Sequence, residues 1–341
     1  MATITEANSD VHLQLMLEKL QAVPIEFSPE LRCFVLNGST KVRGLHPIIN
    51  SIAPVPRGEG QYGPQPDTAP KKNNFRRSKL DPTPHKKVWR VSEHPSSARF
   101  TKLASKSCKH AISRCKVPNM ADNEGRSGIG QAYHKRHGVW VDESIKVYVA
   151  GGSKTLIAFS SDVGIEPCAA TLLDFIAASG YRIVACQVPI YSTVMGVATS
   201  IDIICTDVAT STEFYIFEVK STAVVSKEAV ERGDAAFEQL RGRLKSTTLR
   251  GMILSQYGAS QVQAWTQMSI VKEITSMTPT GVSVLRVSPG IVREYPLNIY
   301  YKDRAEKLAR AISIQTGQAK RNRKRARQAD KALKLKKPKK V

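Results

Sequence analysis

The sequence predicts an α/β protein: a central mixed sheet flanked by helices, extended by disordered basic arms. Three observations lead there. Short β-branched and aromatic runs sit among longer stretches with apolar residues at helical spacing, the pattern of a sheet covered by helices. A long Pro-, Gly-, Lys- and Asn-rich stretch separates a short N-terminal unit from the main body. The charge is also partitioned. Lys71 to Lys116 hold 14 basic and 2 acidic residues, and Gln318 to Val341 hold 12 and 1. These two stretches account for the whole net charge of +22 and leave the remaining residues near neutral.

The elements follow in chain order. Ser9-Asp10 can cap a helix over "VHLQLMLEKLQAV", with Leu13, Met16, Leu17 and Leu20 at helical spacing. "ELRCFVLNGST" reads as a strand, and residues 1–50 form a small helix/strand unit that either docks on the body or takes a protein partner through its helix. Residues 51–125 have too few aliphatics to offset the entropy of ordering and read as a disordered basic linker. Cys108, His110 and Cys115 within it lack the fourth ligand a structural zinc site needs. The main domain is expected over 126–301. "GQAYHKRHGVWVDESIKVYVA" and "EPCAATLLDFIAASG" read as helices, the second stopped by Gly180. Three strands follow: "YRIVACQVPIY", "ATSIDIICTD" and "EFYIFEVKST". "SKEAVERGDAAFEQLRGRLKS" and "GASQVQAWTQMSIVKEIT" read as helices, and "VSVLRVS" with "GIVREYPL" as a hairpin around Pro289-Gly290. Residues 302–341 begin as a basic helix and end in a basic tail.

Several function classes drop out. Six irregularly spaced cysteines make no disulfide framework and suit a reducing compartment. The first residues lack the cationic and apolar regions of a signal peptide, and no apolar run approaches the ~18–20 residues that span a membrane, so a soluble intracellular protein with no membrane partner is expected. The cationic arms point to a polyanionic partner, of which nucleic acid is the commonest. "KRNRKRAR" and "KLKKPKKV" have the composition of a nuclear address, which places the protein in the nucleus, and would also hold phosphate backbone without reading bases.

The chemistry lies in "SIDIICTDVATSTEFYIFEVKST", residues 200–222, where two apolar strands each carry charge. Side chains alternate along a strand, so Glu218 and Lys220 share one face and Tyr215, Phe217 and Val219 the other. If the strands pair as a hairpin, Asp202 comes beside Glu218. Two buried carboxylates repel each other, and a divalent cation is the economical compensation. Mg²⁺ takes oxygen ligands and commonly shares one or two carboxylates with substrate phosphates. A lysine beside it can stabilise charge in a phosphoryl-transfer transition state. A lone Glu-x-Lys is weak evidence, and a Glu–Lys pair bridging strands is the plainer structural reading. Here an aspartate in the preceding strand and the flanking basic arms add to the signal. Two further features favour structure over chemistry. His134 and His137 in "YHKRHG" read as solvated basic surface, and the helical phase of Trp265 places it in the core.

On these residues the chain from about 130 to 297 resembles the PD-(D/E)XK nuclease superfamily, in particular its exonuclease and recombination-type branch that includes lambda exonuclease-like enzymes. The resemblance implies a restriction-endonuclease-like αβββαβ core and an Mg²⁺- or Mn²⁺-dependent deoxyribonuclease acting in DNA processing, repair or recombination. It assigns Asp202 from "SIDIICTD" and Glu218 and Lys220 from "FEVKS" to the catalytic set. It further implies an acid on the first core helix, Glu143 in "RHGVWVDESI" with Asp142 as its rival. The metal ligands are then expected to be Glu143, Asp202 and Glu218. A glutamine on the helix after the triplet is also implied: Gln263, with Gln261 and Gln239 as alternatives. The proline of the family's name is absent before Asp202. A noncatalytic nucleic-acid-binding protein on a nuclease-like fold is the competing reading.

Overall fold

The computed structural model describes residues 3–28, 33–52, 84–104, 129–209, 213–222, 237–238, 255–314 and 317. They build a mixed α/β fold around a nine-stranded sheet. The strands are β1 (Ile25–Ser28), β2 (Cys33–Leu36), β3 (Thr40–Gly44), β4 (Lys87–Arg90), β5 (Tyr181–Ser192), β6 (Val197–Asp207), β7 (Phe214–Ser221), β8 (Gly281–Ser288) and β9 (Ile291–Pro296). Their order is β1-β2-β3-β6-β7-β8-β9-β4, with β5 on the other side of β6. The β3–β6 and β7–β8 pairs are parallel and the others antiparallel.

The helices are α1 (Thr3–Gln21), α2 (Leu45–Ile52), α3 (Ile129–Asp162), α4 (Pro167–Ala178), α5 (Gln256–Thr275) and α6 (302–314). Two apolar layers result. One joins Leu13, Met16 and Leu20 of α1, Leu45 and Ile48 of α2, Val262 and Ile270 of α5, and Leu308 and Ile312 of α6 to Phe214 and Ile216 of β7. The other joins Val141 and Ile145 of α3 and Leu172 and Phe175 of α4 to Ile203, Phe217 and Leu285. Strand β7 is thus covered on both faces. Its alternation puts Glu218 and Lys220 in phase with Ile216, toward the α5 layer.

The fold departs from the sequence expectations in two places. The N-terminal unit docks on the body, one of the two outcomes expected of it: Arg43 and Gly44 pair with Val197 and Ala198 of β6, and the apolar face of α1 is buried in the shared core. It also contains a hairpin, β2–β3, turned at Asn37-Gly38 with both residues at positive φ, 52° and 66°, the conformation this dipeptide favours. Residues 84–104, expected within a disordered linker, are ordered. Strand β4 pairs with β9, Trp89 packs edge-to-face on Phe175, and Phe100 is buried. Sequence composition misses this because the apolar partners lie in distant parts of the chain. The basic helix expected from residue 302 is α6, and its Ala305, Leu308 and Ile312 at helical spacing bury against the core.

Helix α3 is longer than expected and bends at Gly152, whose φ of 67° and ψ of −159° no helical residue adopts. Helix α4 begins at Glu166, whose carboxylate accepts the Ala169 N–H as an N-cap. The cysteine–histidine group of residues 108–115, most of the charged helix expected over 226–246, and the tail from 318 lie outside the described residues. None of the described helices is long and apolar enough to cross a membrane.

Candidate metal centre at the fork of two strands

The site forms where β6 and β7 part. Their antiparallel ladder runs from Thr206↔Phe214 to Ile203↔Phe217 and ends there. One edge of β6 is occupied along its length by β5, so β3 and β7 share the other edge, β3 at Val197–Ala198 and β7 at Ile203–Thr206. Between them, residues 199–202 face a gap. Gln267 of α5 fills part of it, its Nε2 donating to the Ser200 carbonyl at 2.8 Å and to Glu218 Oε2 at 2.7 Å. Asp202 fills the rest, Oδ2 accepting the Val219 N–H at 2.7 Å. Extending the β6–β7 register by one residue on each strand sets Asp202 opposite Glu218, as the hairpin reading requires.

A cleft of about 290 Å³ opens over this fork. Asp142, Asp202, Glu218, Lys220 and Gln263 line it from the body. Phe34, Gly44, Leu45, His46 and Pro47 line it from the N-terminal unit. Lys220 Nζ lies 2.5 Å from Glu218 Oε1, and Glu218 itself is buried. On the far side Gln187 ties the two aspartates together, its Nε2 at 3.2 Å from both Asp142 Oδ1 and Asp202 Oδ1. Gln187 does this from a left-handed backbone, φ 49°, which costs a non-glycine residue roughly 1 kcal/mol or more.

Electrostatics mark the cluster. Burial raises the Asp142 carboxyl to about 6, against the pull of Lys146 and Lys220. Asp202 is held well above the usual carboxylate range, by burial first and by Glu218 second. Lys220 moves the opposite way from what burial alone would do: Glu218 and Asp202 outweigh desolvation and push its ammonium further up. The charged forms of the two aspartates therefore need more positive charge than the lysine supplies. Gln267 Oε1 is buried with no hydrogen-bond partner. Asp142, Asp202 and Glu218 bring only oxygen donors to the cleft, although among the described residues they do not form a group whose ligand atoms all lie within 4.8 Å of one another.

The structure brings Asp202, Glu218 and Lys220 together and leaves Glu143 out. Glu143 sits on the outer face of α3, about half exposed and 3.9 Å from Lys146. Asp142, one residue earlier, lies beside the inward-facing Val141 and Ile145 and supplies the helix-borne acid instead. Gln263 lines the cleft, its Oε1 at 3.4 Å from His46 Nδ1. Gln261 turns away to the Pro296 carbonyl and the Asn298 N–H, and Gln239 lies outside the described residues. The α5 glutamine that touches an acid is Gln267, one helical turn beyond Gln263.

His137 is not solvated surface. It is buried, and its Nε2 lies 2.6 Å from Glu166 Oε1. With Cys168 these residues place three ligand atoms within 4.8 Å of one another. Each has structural work, however: Glu166 caps α4, His137 ties α3 to that cap, and the Cys168 thiol donates to the Thr222 carbonyl. Trp265 is half-buried, with Nε1 donating to the Asn298 carbonyl. Comparison with family models, with curated proteins and with solved structures returns no match.

Proposed function

We propose that this protein is a divalent-cation-dependent nuclease that hydrolyses phosphodiester bonds of DNA at the β6–β7 fork. The observation that carries the reading is the convergence of Asp142, Asp202 and Glu218, from a helix and two strands, with Lys220 in one cleft open to solvent. Asp142 and Asp202 are costly to charge where they stand, and a cation would offset that cost. Asp142, Asp202 and Glu218 would hold Mg²⁺ or Mn²⁺. A cation there supplies Lewis acidity toward a phosphate oxygen and makes water a better nucleophile. The chain's own residues do the rest. Gln267 and Lys220 fix the two oxygens of Glu218, and Gln187 fixes one oxygen of each aspartate. Lys220 remains cationic and offers its remaining N–H groups to the charge that builds on phosphorus.

The element order supports the same reading. Helix α4, strands β5, β6 and β7 as an antiparallel meander, helix α5, and β8 parallel to β7 follow the αβββαβ plan of the PD-(D/E)XK superfamily. The basic stretches add phosphate affinity without sequence preference. The same charge would equally serve a noncatalytic nucleic-acid-binding protein, so the decisive measurement is turnover. Supercoiled plasmid, linear duplex and single-stranded DNA are incubated with the protein in Mg²⁺, in Mn²⁺ and in EDTA, beside Lys220→Ala and Asp202→Asn. Cation-dependent products, lost in both variants while DNA binding persists, are expected. Full activity in Lys220→Ala would sink the mechanism, and no cleavage with either cation would leave the binding protein.

A further inference from the structure

The cleft has a second wall that the hydrolytic residues do not use. In the three-stranded N-terminal sheet, Phe27 of β1 stands opposite Phe34 of β2, and Phe34 opposite Val42 of β3. The three side chains therefore form one row across one face of that sheet. Ile25, two residues before Phe27 on the same face, is buried at 6% exposure, so the row is covered at that end, whereas Phe27 itself is 50% exposed. The Phe27 and Phe34 rings meet edge-to-face at 5.3 Å and 67°. Phe34 is the middle of the row. It lines the cleft directly, and a Cβ added to Gly44 would lie 3.8 Å from its ring.

We propose that this row is a stacking platform for unpaired nucleobases, which leads a single strand across the N-terminal sheet into the acid cleft. The inference rests on the nuclease reading for its substrate and names that substrate more closely: single-stranded DNA or a frayed end, in preference to intact duplex. Aromatic side chains on an open sheet face bind bases by stacking, and every base has a π-face, so the platform tolerates any sequence. Charge complements it. Lys220 stands inside the cleft as a cation for the phosphate. Continuity with the fork makes the row a guide: a base on Phe34 sets the neighbouring phosphate over Asp202 and Glu218.

The test uses the full-length protein in EDTA and a single-stranded oligonucleotide carrying 5-iodouracil, which cross-links to aromatic rings it stacks on when irradiated. Cross-linked peptides are mapped by mass spectrometry, and affinity is measured at about 0.3 M salt, where phosphate contacts made by the arms are weakened. Cross-links are expected on Phe27 and Phe34. The double variant Phe27→Leu/Phe34→Leu, which keeps an apolar side chain without the ring, is expected to lose them and to bind roughly 5- to 100-fold more weakly. Phe34→Tyr, which keeps the ring, should retain both properties. Cross-links confined to the basic stretches, or unchanged affinity in the double variant, would overturn the platform. The readout needs no hydrolysis. Cross-links at Phe27 and Phe34 without cation-dependent cleavage would refute the nuclease and keep the platform, whereas efficient cleavage of intact duplex without those cross-links would do the reverse.

Discussion

Burial holds the Asp142 carboxyl at about 6, well above the 3.8 of a free side chain, and this sets a pH dependence for the metal-free protein. Between about 4 and about 6 the folded state keeps a proton that the unfolded chain has lost. Stability therefore falls as pH rises through that window and stays lowered above it, by on the order of 3 kcal/mol for this group. Asp142→Asn removes the buried charge and keeps an oxygen for the Gln187 amide. In EDTA at pH 8 the variant should unfold several degrees above the wild type, with the difference vanishing near pH 4. Thermal unfolding at both pH values decides it, and a variant less stable at pH 8 would show that the carboxylate is needed for the fold itself. Mg²⁺ should raise the wild-type transition at pH 8 and leave that of Asp142→Asn nearly unmoved. Such a site is legible in the sequence only in part. Strand alternation has a period of two and admits no compromise, so Asp202, Glu218 and Lys220 could be placed together from the text alone. A helix turns about 100° per residue, so two adjacent acids on α3 differ only in which side of the apolar stripe they flank, and it is Asp142, the rival of Glu143, that lines the cleft. Gln267 is hidden among the glutamines of α5, and the left-handed Gln187 leaves no trace in composition.

At the scale of elements, the segment 84–104 shows how a stretch poor in aliphatics becomes part of the body. It adds β4 to the sheet edge, stacks Trp89 on His94 at 5.5 Å, and is anchored by Asp174 of α4. The Asp174 carboxylate is fully buried and accepts the Phe100 and Thr101 N–H groups, each at 2.8 Å, together with the Thr101 hydroxyl. Asp174→Ala leaves those N–H groups without partners, at about 1–3 kcal/mol each. We expect a loss of roughly 2–5 kcal/mol in urea unfolding, with faster proteolysis near residue 100. Asp174→Asn, which retains one acceptor, should lose about half as much. An unchanged unfolding midpoint in Asp174→Ala would mean that the segment is held by β4 pairing alone. The sequence concealed this anchor because its two halves lie more than 70 residues apart and neither half has a periodic pattern. The β5–β6–β7 meander, the α5 crossover and the β8–β9 hairpin were legible for the opposite reason. Each is a contiguous apolar run bounded by its own turn residues. The β2–β3 hairpin had such a signal in Asn37-Gly38, but the runs around it are only 4 and 5 residues long, too short to display alternation.

Taken as a whole molecule, the proposed nuclease would separate where it holds DNA from where it cuts it. The acids and Lys220 are confined to one cleft, while the stretches Lys71–Lys116 and Gln318–Val341 supply the entire excess of positive charge. Phosphate contacts release counterions, so affinity falls steeply with salt, by about 0.9 in the logarithmic slope for each phosphate contacted on duplex DNA. Chemistry in the cleft depends instead on short-range geometry, which salt screens far less. Replacing Arg321, Arg323, Lys324, Arg325 and Arg327 by Gln should therefore lower the salt slope of duplex binding by up to about 4–5 and weaken binding at low salt. The single-turnover cleavage rate at saturating protein should stay within about twofold of wild type, a barrier difference under about 0.5 kcal/mol. Anisotropy titrations across a salt series, run beside quench-flow cleavage, measure the two quantities separately. A parallel fall in the saturated rate would show that the basic tail reaches into the cleft and acts on the reaction itself, and the division of labour between arms and fork would be wrong.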